Sequence, residues 1–355
     1  MNETVERDST FVIRGYELRS AIIFVVAFIG VICNSFVALF TRRMKTMNNP
    51  FGWLTSSQAT AEIVQCSVFA FYYAPMVFFD ISFMKHHSNI IGSVLLIFYD
   101  ICIFSHLVIA ANRLCAICFP LKYDVYFSRR NTNIMIAVIW IISFIVPLSF
   151  HGRWECNLVY VDEVWAFSFR NDKDCGLISW YADFSQDLSV AVLIAIMDTV
   201  TIVKVRLTAK EIASHSRSVA SKRKSDINFL RQAVAQGVVY ATELFTYFFI
   251  AWYVTNKWLF WFCTTMAWVL VHTTDGIVIL SFNKEFRRLL IAPIQQSSRE
   301  CFYIATWVFM HRTATISNQD ISMLILIPYD KKYNIKNRST PLEFPQNYGG
   351  HLEHR

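Results

Sequence analysis

Charge is what this chain has least of. Only 17% of its 355 residues are Asp, Glu, Lys or Arg, while 55% are hydrophobic, including 31 Phe, 15 Tyr and 10 Trp. A soluble chain of this length would ordinarily split into two domains with charged surfaces. Repeated apolar runs of bilayer length replace that pattern here and point to one membrane domain. No His-Glu-x-x-His string occurs, and His86 and His87 are adjacent, so they cannot share a helix face as metal ligands. No internal repeat and no pair of interrupted apolar segments is visible, which argues against the usual transporter plan. A cleavable leader is not expected either. Residues 1–18 are polar, and the first apolar run, 20–41, is too long for a leader core and ends in Arg42-Arg43. The net charge of +7 does not call for nucleic acid, because the basic residues sit between the apolar runs.

Seven spans are expected, roughly 20–41, 53–79, 90–118, 133–150, 184–205, 230–254 and 259–282, each able to cross a core of about 30 Å. The fourth is the cleanest, and the fifth is interrupted by Asp187 and Asp198. The loops on one side hold 17 Lys and Arg residues, eight of them from Lys204 to Arg231, against 8 on the other side. The positive-inside rule therefore puts the N-terminus outside and the C-terminus inside, which an odd number of spans also requires. The expected fold class is an all-α membrane protein, a seven-transmembrane helix bundle with a short amphipathic inner-surface helix. It has an extracellular N-terminus (1–19), a bundle (20–291) and a largely disordered cytoplasmic tail (292–355). Ser214 to Lys224 reads as a basic, serine-rich inner loop. Asn2-Glu3-Thr4 is a glycosylation sequon on the outer side.

Seven of the nine cysteines fall in spans or on the cytosolic side, where free thiols behave as small hydrophobes. Cys156 and Cys175 share one polar outer loop and are the disulfide candidates. Closing about 20 residues would contribute roughly 3 kcal/mol in a chain-entropy account.

The most telling string is Asn112-Arg113-Leu114-Cys115-Ala116-Ile117-Cys118-Phe119-Pro120-Leu121-Lys122-Tyr123. An arginine at the end of an apolar helix is costly at membrane depth and is usually functional. With the seven spans, this string resembles the rhodopsin-like receptors that couple to G proteins. Arg113, Ala116, Ile117, Pro120, Leu121 and Tyr123 match that pattern in register, Asn112 stands where the family has an acid, and Leu114 where it has an aromatic. Gly30 and Asn34 in the first span, Glu62 in the second, Asp275 in the seventh and Asn283 to Arg287 after it also fall into register. Gly276 and Ile279 depart from the family's proline and tyrosine. The chain is similar in finer detail to the nematode serpentine chemoreceptors of class X, through Asn49-Pro50-Phe51-Gly52, Gln58-Ala59, Asn112 to Ala116 and Phe229-Leu230-x-Gln232-Ala233. That likeness covers roughly residues 15–295.

The resemblance implies a plasma-membrane, multi-pass, chemosensory receptor that passes binding of an unknown small-molecule or peptide ligand to a heterotrimeric G protein. Neither a cofactor nor a metal is expected. Asn112, Arg113, Pro120, Leu121 and Tyr123 would form the coupling switch. Asn112 can hydrogen-bond but not ion-pair, so Arg113 would be latched more loosely than in the family. Asn34, Glu62 and Asp275 would form a buried polar cluster in which two acids share a proton or a cation; otherwise each faces its own water-filled cavity. Asp100, His106, Glu243 and His272 are candidates for lining a ligand pocket or for interhelical hydrogen bonds. The family usually ties the outer end of the third helix to the second outer loop by a disulfide. Ser88 stands at that end here, so Cys156 and Cys175 would pair within the loop. An ion-coupled transporter or channel using Glu62, Asp100 and Asp275 is the alternative. A light receptor is disfavoured because the seventh span has no lysine to form a Schiff base with retinal.

Overall fold

The computed structural model describes residues 15–288 apart from 45–46, 155, 171–172, 213–216 and 284–285. Asn2, the tail from 289 onward and most of the expected surface helix after Asn283 lie outside the described residues.

Seven helices are long and apolar enough to cross a membrane. They are α1 (Gly15–Thr41), α2 (Pro50–Phe78), α3 (Ser88–Cys118), α4 (Arg129–Trp154), α5 (Ser185–Ile212), α6 (Arg217–Phe245) and α7 (Lys257–Phe282). Each matches one expected span, with shifted ends. The helix leading into α5 starts at Lys173, well before the expected 184, and reaches α5 through a π-helical turn at Ser179–Phe184. α6 starts at Arg217, inside the basic segment expected to be a loop. Lys and Arg are good helix formers and nothing there breaks a helix, so the helix runs past the apolar stretch. α6 closes with a second π-helical turn, Thr246–Ile250.

α3 is the central helix and packs on α2, α4 and α5, while α1 packs between α2 and α7. The outward faces of α1, α4 and α5 are apolar and exposed, with Ile32, Leu39, Ile141, Ile145, Val192 and Ile196 among them. Such a belt suits lipid rather than water. α1 and α7 approach closely at Gly276, where an added Cβ would lie 2.7 Å from Asn34 Oδ1. Replacing the family's proline by Gly276 thus gives up a kink and gains a tight α1–α7 contact.

One element is not helical. β1 (Leu158–Val161) and β2 (Ala166–Phe169) form an antiparallel hairpin in the register Leu158↔Phe169 to Val161↔Ala166. It covers one end of the bundle. Tyr160 N–H donates to Ser88 Oγ at 3.1 Å, and the Leu158 carbonyl packs directly on Gly92. Ser88 therefore anchors the loop to α3 by a hydrogen bond at the place where the family has a disulfide. Cys156 and Cys175 are bonded to each other, with Cα atoms 5.2 Å apart. At the hairpin's turn Trp165 has φ 53°, a costly conformation for a bulky residue. Its neighbours hold it there. The Trp165 carbonyl accepts from Tyr73 Oη at 2.6 Å and Thr265 Oγ1 at 3.1 Å. Its ring covers the Arg19 guanidinium at 3.6 Å, with Trp258 on the other side at 3.8 Å. Outside the spans, Lys85 bridges Asp80 and Asp162 at 2.5 and 2.7 Å. Partial burial disfavours its charge, but the two carboxylates outweigh this and hold its pKa above the usual lysine value.

Gly276→Ala should lower the melting temperature of the purified protein in detergent, because a methyl there must displace buried Asn34, an overpacking cost of about 1–3 kcal/mol. Gly237→Ala meets nothing within 4 Å and should be neutral or stabilising. Equal melting temperatures for the two variants would contradict the close α1–α7 contact.

Candidate functional site

The buried polar residues form a column along the inside of the bundle. In its middle, α2 contributes Glu62 and Gln58, α3 contributes His106 and Cys102, and α7 contributes His272 and Asp275. Residues 58 and 62 are one helical turn apart, as are 102 and 106, so each pair lies on one face. Glu62 Oε2 lies 2.6 Å from His272 Nδ1, and Asp275 Oδ2 lies 2.7 Å from His106 Nε2. Gln58 Nε2 donates to Asp275 Oδ2 at 2.9 Å. Asn34 holds the backbone rather than the acids, donating to the His272 carbonyl at 3.0 Å. The structure thus brings Glu62 and Asp275 together and places His106 and His272 with them; His106 also lines the cavity between α3, α5 and α6. Glu62, Cys102 and His272 have donor atoms within 4.8 Å of one another, and so have Glu62, His106 and Asp275. That is a ligand set for a small cation. Each carboxylate already has an imidazole nitrogen as its hydrogen-bond partner.

At the end away from the hairpin, Arg113 Nη2 lies 3.3 Å from Asp198 Oδ1 on α5. Both side chains are buried. Asn112 Nδ2 donates to Tyr123 Oη at 3.1 Å, which ties α3 to the turn Pro120–Lys122 that follows it. Arg113 thus has an acid partner on α5, while Asn112 stands where the family carries one on α3. Asp198 had shown in the sequence only as a charge interrupting a span. Leu121, on the same turn, is 97% exposed.

Toward the hairpin lies a second acidic group. Asp100 accepts from Gln186 Nε2 at 2.9 Å. Glu243 lies 3.5 Å from Tyr99 Oη, which is 2.9 Å from Tyr240 Oη. Asp187 is buried beside them. Asp100 and Glu243 thus each lie near Asp183 and Asp187, two acids that the sequence had not singled out as site residues. A cavity of about 360 Å³ between α3, α5 and α6 runs from Tyr240 to Arg113 and Asp198.

A seven-helix bundle with a buried polar column and an arginine latched at one end of its central helix is the plan of a helical membrane receptor. Squid rhodopsin superposes with a TM-score of 0.65 over 79% of this chain and 86% of its own, at 14% identity, a likeness of fold alone. Residues 24–283 match the family described as serpentine type 7TM GPCR chemoreceptor Srx. Serpentine receptor class X 45 of Caenorhabditis elegans is 32% identical over 295 residues, covering 78% of this chain and 81% of the relative. Serpentine receptor class X-43 of the same organism is 28% identical over 258 residues, covering 70% and 78%. Melatonin receptor type 1C of Gallus gallus is 23% identical over 302 residues, covering 77% and 81%. The chain belongs to the Srx family of serpentine seven-transmembrane G-protein-coupled chemoreceptors. It is a multi-pass membrane protein of a receptor class rather than of an enzyme class, and nothing supports the transporter alternative.

His272→Leu would strand the Glu62 carboxyl without its imidazole. Leaving a buried hydrogen-bonding group unsatisfied costs about 1–3 kcal/mol, so the variant should melt well below the parent. Adding Glu62→Leu should recover part of the loss. A single variant that melts like the parent would contradict the pairing.

Proposed function

We propose that this receptor sits in the plasma membrane with its N-terminus and hairpin outside, senses an external chemical, and passes the signal to a heterotrimeric G protein. The orientation rests on the excess of Lys and Arg in the loops assigned to the cytosol. It puts the Arg113 end of α3, the exposed Leu121 and the basic start of α6 on the G-protein side.

The observation that carries the reading is the Arg113–Asp198 pair. A guanidinium held by an acid on another helix is a contact with two states, closed on Asp198 or open to a partner's groups. Ligand binding among the hairpin-side halves of α3, α5 and α6 would favour the open state. The polar column offers the route between the two ends. Tyr99 packs against His272 with ring centroids 5.9 Å apart, His272 bonds Glu62, and His106 lies between Asp275 and the Arg113 level. Asn34, Glu62 and Asp275 would then hold α1, α2 and α7 together as the fixed side against which α5 and α6 move. In this reading the chain is a switch with no covalent chemistry.

The test is nucleotide exchange on purified G proteins reconstituted with the receptor. Arg113→Ala should remove stimulated exchange while the protein remains folded. Asp198→Asn should raise basal exchange severalfold, because Arg113 loses its closed-state partner. Unchanged basal exchange in Asp198→Asn would reject Asp198 as the latch. Full stimulated exchange in Arg113→Ala would reject the coupling role.

A further inference from the structure

We infer that the receptor's ligand is an organic cation, a protonated or quaternary amine with an apolar body, whose charge sits among Asp100, Asp187 and Glu243. The inference rests on the chemosensory reading and names the ligand class for it.

Asp100 of α3, Asp187 of α5 and Glu243 of α6 are buried where these helices meet, and Asp183 lies in the turn before α5. Contacts link them: Gln186, beside Asp187 in the sequence, donates to Asp100 at 2.9 Å, and Tyr99, beside Asp100, lies 3.5 Å from Glu243. None of the four takes part in an ion pair among the described residues. Arg113 is committed to Asp198. His272 is the imidazole that reaches Glu243, and it is already bonded to Glu62. This sets the group apart from the column below it, where every acid has a basic partner. The second observation is Asp187 itself. It is only 2% exposed, and its Oδ1 has no hydrogen-bond partner. A buried carboxylate oxygen without a hydrogen-bond partner is a cost that a bound cation removes.

The surroundings suit an amine better than a bare metal ion. The four acids are not among the groups whose donor atoms lie within 4.8 Å of one another, so a small ion would not reach several at once. Tyr99 and Tyr240 stack at 6.1 Å beside the acids, and Phe184 and Phe248 pack at 4.5 Å. Aromatic faces of this kind attract ammonium groups. Ala191, one turn beyond Asp187, and Tyr240, one turn before Glu243, both line the cavity of about 360 Å³. The acids themselves do not line this cavity, but it begins within one turn of Asp187 and Glu243, so an amine held at the acids would extend its apolar body into a volume typical of small-molecule sites. The exposed Val234 and Val238 at the cavity wall open it toward the lipid face between α5 and α6.

The experiment uses the full-length receptor purified in detergent and measures thermal stabilisation by choline, phenethylamine, tyramine and dodecyltrimethylammonium. Each is compared with its uncharged isostere. At least one amine should raise the melting temperature in a saturable way while its isostere does not. Asp187→Asn should weaken that amine at least tenfold, and Glu243→Gln should do the same if Asp187→Asn proves too unstable to assay. Stabilisation by isosteres as strong as by amines, no stabilisation by any amine, or unchanged affinity in folded Asp187→Asn and Glu243→Gln would each overturn the inference. Because this readout needs no G protein, failure of nucleotide exchange with normal amine binding would count against the coupling reading alone.

Discussion

A charged or hydrogen-bonding side chain inside an apolar helix bundle has no water to turn to, so it must find its partner within the protein. Much of this structure follows from that constraint. Glu62 meets His272, Asp275 meets His106 and Gln58, and Arg113 meets Asp198. Each contact crosses between helices, so satisfying the polar groups also fixes which helices are neighbours. The apolar contacts are far more numerous, but they are less selective, because lipid is as good an apolar partner as leucine. The polar column is therefore what distinguishes this packing of seven helices from others of similar apolar burial.

The same constraint explains the covered end of the bundle. Arg19 is buried near the start of α1 and is held by the faces of Trp165 and Trp258. The strained Trp165 backbone is fixed by two hydrogen bonds to its carbonyl. Ser88 fastens the hairpin to α3 without a covalent link, and the Cys156–Cys175 bond closes the loop on itself. The hairpin is thus bound to the helices by hydrogen bonds, ring contacts and the Lys85–Asp162 ion pair, without a disulfide to α3.

The seven helices were legible in the sequence because bilayer length and hydropathy specify them residue by residue. Their ends were less so: Arg217 to Lys224 reads as loop by charge but is helical by propensity. The hairpin was missed because four-residue strands within a polar, acidic loop give too short an alternation to register. Within the site, Glu62 and Asp275 could be placed from their register, and the structure brings them together. Asp198 could be seen only as an anomaly. Its pairing with Arg113 spans 85 residues, and no local pattern carries information of that range. The same holds for Asp187, whose neighbours come from α3, α6 and the turn before α5.

The Arg113–Asp198 contact is measured most directly by a double-mutant cycle on thermal unfolding. Arg113→Gln, Asp198→Asn and the combined variant should show a coupling of about 1 kcal/mol or more, within the range for buried residues in contact. In that case the double variant loses less stability than the two single losses added together. Strict additivity would mean that the two groups do not interact in the resting receptor, and the latch would have to be sought elsewhere.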